Sequence, residues 1–194
     1  MILSIISAIG KNNELGKKND LLWNLPADMK HFRETTRGHT VVMGQKTFES
    51  LGRDENGNQI GRLLSNRRNI ILTQDTNFKK EGAEIAYSIE ELMNLLKNTT
   101  LGHSTTTLGH SPMGEPGEAK IDEEVFIIGG GQIYKLFINK ADKLYITHVD
   151  ESFPDAEIFF PIIEESKWQK IKSEKYLKDD LNKYDLEFTE YTRK

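Results

Sequence analysis

Apolar residues gather along the chain in short unbroken runs rather than in strict alternation: Ile2 to Ile9, Thr40 to Met43, Asn69 to Thr73, Val125 to Ile128 and Leu144 to Thr147. A strand without a polar side is covered on both faces, which predicts a mostly parallel sheet with helices packed above and below it. Residues 26 to 36, 47 to 52, 89 to 97 and 132 to 137 carry helical patterning in the gaps. Alternating strands and helices place a ligand crevice at the carboxyl ends of the strands. The tail from Trp168 to Tyr191, broken by the polar run Lys178 to Lys183, predicts a closing antiparallel hairpin.

Two stretches break the pattern. Residues 54 to 66 are polar and turn-rich, and residues 98 to 123 contain a tandem seven-residue repeat, Thr99 to Thr105 followed by Thr106 to Pro112. Both read as surface insertions on a single domain spanning 1–194, since two seven-residue copies cannot build a stacked core. His103 and His110 of the repeat read as loop residues rather than metal ligands, and no metal site is expected.

Composition narrows the chemistry. The chain has no cysteine, which removes disulfides, thiolate zinc sites, iron–sulfur clusters and cysteine nucleophiles. Its 26 basic residues against 30 acidic ones leave a net charge of −4, a poor match to nucleic acid. The apolar N-terminal run lacks a basic flank and ends at Lys11, too short to span a bilayer. A cytoplasmic protein without nucleic-acid or membrane partners is expected.

Three segments can carry chemistry. In Leu22-Trp23-Asn24-Leu25-Pro26-Ala27-Asp28-Met29-Lys30-His31-Phe32, Pro26 can open a helix on which Leu25, Asp28, Met29, Phe32 and Thr36 share one face. A carboxylate on an apolar stripe is costly unless it is satisfied, either by the helix start with its head in water or by a ligand. The ligand suited to it is flat and presents two parallel N–H donors. In Val125 to Tyr134 a buried strand runs into Gly129-Gly130-Gly131 and then a helix, which serves either a phosphate or a tight turn. Gly44-Gln45-Lys46-Thr47 repeats that design after the strand at 40, and two anion-ready turns in one sheet suggest a dinucleotide. Neither turn fits the dinucleotide fingerprint or the P-loop.

Taken together, these segments resemble dihydrofolate reductase in register over most of the chain: Gly16 to Asn19, Leu22 to Asp28, Met43-Gly44 with Thr47 to Arg53, Arg67 to Leu72, Ile128 to Tyr134, Leu144 to His148 and Phe159-Phe160-Pro161. The resemblance implies an eight-stranded, mostly parallel twisted sheet with a C-terminal antiparallel hairpin strand and about four flanking helices. It implies hydride transfer from NADPH to C6 of dihydrofolate with protonation at N5, and antifolates as further ligands. Asp28 would hold the pterin, with Thr147 bonded to the same carboxylate and the proton arriving through water near Leu21 and Trp23. Ile6, Ala8, Phe32, Leu51 and Leu64 would wall the substrate, and Arg67 would grip its tail carboxylate. Ile128 and Tyr134 would flank the nicotinamide, beside Ala8. The rest of the cofactor would meet Leu15, Gly16 and Asn19 of a closing loop at 10 to 24, then Gly44, Gln45, Lys46, Thr47, Thr73 and Gln74. Gly130, Gly131, Gln132 and Ile133 would cradle the pyrophosphate, after a cis peptide joining Gly129 to Gly130.

This chain departs from the family's pattern at Gln45 and Gln132, where arginine is common, leaving Lys46 and Arg68 as the nearby cations. NADPH is still expected over NADH, with a weaker preference. Glu157-Ile158 replaces the family's acid and threonine between the two loops, and the 54 to 66 insertion is expected to reshape the entrance to the folate tail. Two other readings share some of these features: a pyrimidine reductase of flavin synthesis with the same fold, and a non-catalytic cofactor-binding module. No obligate protein partner is expected, and the protein is expected to be a monomer.

Overall fold

The computed structural model describes residues 1–98 and 124–194. The seven-residue repeat lies outside the described residues. Eight strands form one sheet in the order β10-β11-β8-β1-β7-β4-β5-β6. Its members are β1 (Ile2–Ile9), β4 (Thr40–Gly44), β5 (Arg68–Leu72), β6 (Glu84–Ala86), β7 (Glu124–Ile127), β8 (Lys143–Val149), β10 (Trp168–Tyr176) and β11 (Leu186–Arg193). Pairing is parallel from β8 through β6 and antiparallel at β8-β11-β10. The apolar runs are the strands buried on both faces, as at Val41, Val42 and Met43 or Ile70 and Ile71. The hairpin at the chain's end runs antiparallel because a short turn, not a crossover helix, joins its strands.

Four helices accompany the sheet among the described residues: α1 (Pro26–Thr36), α2 (Gln45–Ser50), α3 (Ile89–Asn98) and α4 (Gly131–Phe137). Helix α2 starts two residues earlier than its periodicity predicts, because the chain turns helical immediately after Gly44. Strand β6 escaped the pattern, being only three residues long. So did a small second sheet, β3-β2-β9, made of β2 (Glu14–Lys17), β3 (Asp20–Leu21) and β9 (Ile158–Phe159). No described helix is long and apolar enough to cross a membrane.

The sheet splits at its center. Strand β1 stays in register with β8 as far as Ile9 and His148, but its pairing with β7 ends at Ile5 and Ile127. Beyond that point the chain parts from β1 while staying bonded to β4, the Ile128 N–H donating to the Val42 carbonyl at 2.9 Å, so β1 and β7 separate at their carboxyl ends, the topological position where parallel sheets bind ligands.

Candidate active site

Helix α1 delivers Asp28 to this cleft. Pro26 opens the helix, and no side chain caps it at Leu25. The Ala27 N–H instead donates to Asn182 Oδ1, 2.9 Å away on the C-terminal hairpin turn. Asp28 is half-buried. Burial pushes its carboxyl up to about 6, and a hydrogen bond from the Thr147 hydroxyl only partly offsets this. Of the stripe expected on this helix, Leu25 and Thr36 are buried and Phe32 is half-buried. Met29 departs from it, at 37% exposed.

The apolar wall forms as one cluster: Ile6 and Ile128 are buried together, with Phe32, Leu51 and Leu64 packed against them. Ala8 packs on the other side with Trp23 and Leu25. Trp23 is 9% exposed, and its Nε1–H finds no acceptor among the described residues. Leu21, in contrast, is 57% exposed.

Arg67 closes one end of the wall. Its guanidinium donates to Thr36 Oγ1 at 2.9 Å and to the Ser65 carbonyl at 3.0 Å, and lies over the Phe32 ring. Partial burial, then the like charge of Arg33, push its pKa down.

The opposite side is built from backbone. The Gly129–Gly130 peptide is cis, and the Gly44 N–H donates to the Gly129 carbonyl at 2.8 Å, so the two glycine turns meet. A Cβ on Gly130 would stand 3.1 Å from Thr47 Oγ1, and one on Gly131 would stand 2.6 Å from Ile158. A larger residue at either position would press on these side chains, so the backbone there is open to close approach. Behind the turn, Tyr134 donates its hydroxyl to the Ile6 carbonyl at 2.9 Å, replacing the ladder bond that β7 no longer makes. Ile133 and Leu15 are buried beside it, and Lys46, Gln74 and Gln132 project outward.

The match to the Dihydrofolate reductase family model runs over residues 2–193. This chain belongs to the dihydrofolate reductase family. It is 36% identical over 191 residues to the dihydrofolate reductase of Staphylococcus haemolyticus, covering 98% of this chain and 95% of that one. It is 33% identical to that of Bacillus subtilis, covering 100% and 95%. Among solved structures, a dihydrofolate reductase from Enterococcus faecalis complexed with NADP(H) and RAB-propyl superposes with a TM-score of 0.77 at 30% identity, covering 99% and 96%.

Against the family's pattern, the departures resolve unevenly. Glu157 does link the two loops: its N–H donates to the Gly16 carbonyl at 3.0 Å, and its carboxylate accepts the Lys18 N–H at 3.3 Å. Gln45 donates to Glu49 at 2.8 Å and accepts from Thr73, so its side chain is held within α2's own neighborhood. Arg68 corrects an expectation: its Nε and Nη2 each donate to a Glu84 carboxylate oxygen at 2.6 Å, so it is engaged by Glu84 while Lys46 stands exposed at that turn. Asn19, expected at the cofactor, is exposed and gives its carbonyl to Gln59. His31, His39 and His148 serve packing: His31 against Phe188, His39 toward the Glu124 carbonyl, and His148 on the Tyr191 hydroxyl.

Sequence reasoning missed two working residues. Glu14 is 2% exposed and joins the 10 to 24 loop to the 150s loop, a role signaled only by an acid standing beside the apolar Leu15. Asn182 caps α1 from the far end of the chain, which no local pattern can announce.

Proposed function

We propose that the protein catalyzes NADPH-dependent reduction of 7,8-dihydrofolate to tetrahydrofolate, serving one-carbon metabolism. The observation that carries this reading is Asp28, a single desolvated carboxylate held by Thr147 in an apolar cleft that it shares with the double glycine turn. The residues present fit the cofactor. The Gly130 and Gly131 positions leave room for backbone to approach a pyrophosphate, with Gln132 and Ile133 continuing the cradle. Gly44 to Thr47 with Thr73 and Gln74 would take the adenosine half, Lys46 supplying charge for a 2′-phosphate.

NADPH supplies the hydride for C6. Ionized Asp28 would accept from the pterin's 2-amino group and N3–H through paired charge-assisted bonds, which fixes the ring without consuming the carboxylate's charge. Ile6, Ala8, Phe32, Leu51 and Leu64 hold the ring and benzoyl group out of water, and Arg67 grips the tail carboxylate as a fork. Ile128 and Tyr134 set the nicotinamide side. Trp23 Nε1–H is a buried donor suited to holding a water, and with Leu21 it lines the route by which a proton reaches N5. Leu15, Gly16 and Asn19 belong to the loop that excludes bulk solvent during the step. Diaminopyrimidine antifolates present the same pair of donors to Asp28.

We place the protein in the cytoplasm as a monomer without nucleic-acid, membrane or obligate protein partners, folded as one domain over 1–194. Mixing the protein with NADPH and dihydrofolate tests the activity: the NADPH absorbance band decays if the reading holds. Binding of both ligands without decay would point to a cofactor-binding module instead. Running NADH in parallel measures the cofactor preference, and a higher kcat/KM with NADH would overturn the role given to Lys46.

A further inference from the structure

Between α2 and β5 the chain makes a small ordered hairpin. Arg53 and Gln59 form an antiparallel bridge. Across the turn, the Asp54 carboxylate accepts the Asn56 and Asn58 N–H groups at 2.9 and 2.8 Å and the Asn58 amide at 2.9 Å. The returning arm is fastened by the Ile60 N–H to the Gly52 carbonyl at 3.2 Å and the Arg62 N–H to the Leu51 carbonyl at 2.8 Å. The hairpin therefore springs directly from Leu51, a wall of the cleft.

From it, two side chains reach the loop over residues 10 to 24. Arg53 Nη1 donates to the hairpin's own Gly57 carbonyl at 2.8 Å, which aims Nη2 at Asp20 Oδ2, 2.5 Å away. Gln59 Nε2 donates to the Asn19 carbonyl at 3.0 Å. Both acceptors sit at the β2-β3 turn, where Lys18 and Asn19 adopt positive φ of 47° and 61°. The other edge of β2 is held by β9 and by Glu157. Thus the loop is fastened to protein on both sides, and the hairpin side is the one that crosses from the α2 wall to the Leu21–Trp23 wall.

We propose that Asp20 and Arg53 are positioning residues for the reaction: their ion pair, with Gln59 beside it, fastens the loop across the cleft mouth and slows ligand escape. The proposal rests on the dihydrofolate reductase reading for the identity of the ligands. The pair is about half exposed, at 47% and 55% for the two side chains, so salt should weaken it, as suits a fastening that opens in each turnover.

Arg53→Gln and Asp20→Asn remove the pair while leaving Asp28 and the glycine turns intact. At low ionic strength each should release dihydrofolate ~3- to 10-fold faster in stopped-flow tryptophan fluorescence, the range open to an exposed pair with one hydrogen bond. KM should rise in proportion, while single-turnover reduction of bound dihydrofolate stays within about twofold. Exchanging the charges, Asp20→Arg with Arg53→Asp, should recover most of the slow release, and about 0.5 M salt should erase the difference between wild type and single variants. Release at the wild-type rate, a salt-independent effect, no recovery in the exchanged pair, or a selective loss of the single-turnover rate would each overturn the proposal. Amide hydrogen exchange at residues 17 to 22 reads the fastening without turnover and should speed up in Arg53→Gln; unchanged exchange would also overturn it. A wild type that does not oxidize NADPH with dihydrofolate would refute the activity reading alone.

Discussion

The cleft wall that holds Asp28 and the loop junction that holds Glu14 each desolvate one carboxylate, and the two shift in opposite directions. Burial lifts Asp28 to about 6, and the Thr147 hydroxyl offsets this only in part. Burial also pushes Glu14 up, but the Phe153 N–H at 3.0 Å, the Asn12 side chain at 2.9 Å and the Asn12 N–H at 2.7 Å outweigh it and hold its pKa below the ordinary glutamate value. Glu14 is a finished structural joint. Asp28 is an acceptor left unfinished by the protein, in a cleft where a ligand can finish it. Under-satisfaction, more than burial, therefore separates the acid proposed to bind substrate from the structural one.

The sharpest way to break this contrast is Asp28→Asn. The amide cannot accept two bonds from one donor pair, so kcat/KM should fall about 10²- to 10³-fold, roughly 3–4 kcal/mol of transition-state stabilization, with affinity for diaminopyrimidine antifolates lost in parallel. A steady-state assay and a binding titration check both. Near-normal antifolate affinity would remove Asp28 from its role.

The same residue has a stability signature of the opposite sign. Because its folded pKa lies above the unfolded value near 3.8, the folded state holds the proton more tightly, and the unfolding free energy falls as pH rises from about 4 through about 6. The ligand-free protein should lose about 2 kcal/mol across that window, discounting the full shift for the open side of the cleft. Urea unfolding at pH 4 and pH 7.5, which bracket the window, should show the loss as the difference between wild type and Asp28→Asn. Glu14 acts the other way: its stabilization is present above the ordinary glutamate pKa and drains only below it, as pH falls through its depressed folded value.

Glu14→Gln should cost about 2 kcal/mol, since one oxygen becomes an NH₂ facing buried N–H donors. Thermal unfolding measures the cost. The loosened loop should raise KM for dihydrofolate more than it lowers the single-turnover rate, which distinguishes a joint from a catalytic acid.

How much of this contrast the chain discloses depends on the range of each interaction. The central strands announce themselves because full burial demands unbroken apolar runs, as at Val41 to Met43 or Ile70 to Leu72. Asp28 is legible because a carboxylate breaks a helical stripe within four residues of Pro26. Arg67 and Thr147 enter through resemblance, and the structure brings Thr147 to Asp28 and Arg67 to Phe32. Glu14 is not legible, because its meaning lies in the Phe153 N–H, 139 positions away. Short strands such as Glu84–Ala86 are equally silent, since three residues carry no periodicity. Arg68 misleads for the same reason: its bidentate partner Glu84 is distant in sequence, so the cation looks available.

The smallest effect probes how Asp28 is aimed. Helix α1 has no local side-chain cap, and Asn182, 2% exposed, supplies one with Oδ1 to the Ala27 N–H while its Nδ2 donates to Asp179 at 2.8 Å. Asn182→Ala removes both bonds and should cost about 1 kcal/mol of stability, the usual worth of an N-cap. Because the freed N–H directly precedes Asp28, kcat/KM should also fall about threefold, as expected for a small misplacement of an orienting group. Asn182→Asp separates the two consequences. It keeps an acceptor for Ala27, and its charge suits a helix N-terminus, but it loses the donor to Asp179 and sets two acids together. Activity should therefore return toward wild type while the melting temperature stays low. If activity and melting temperature instead move together in both variants, Asn182 stabilizes the hairpin turn without aiming the carboxylate.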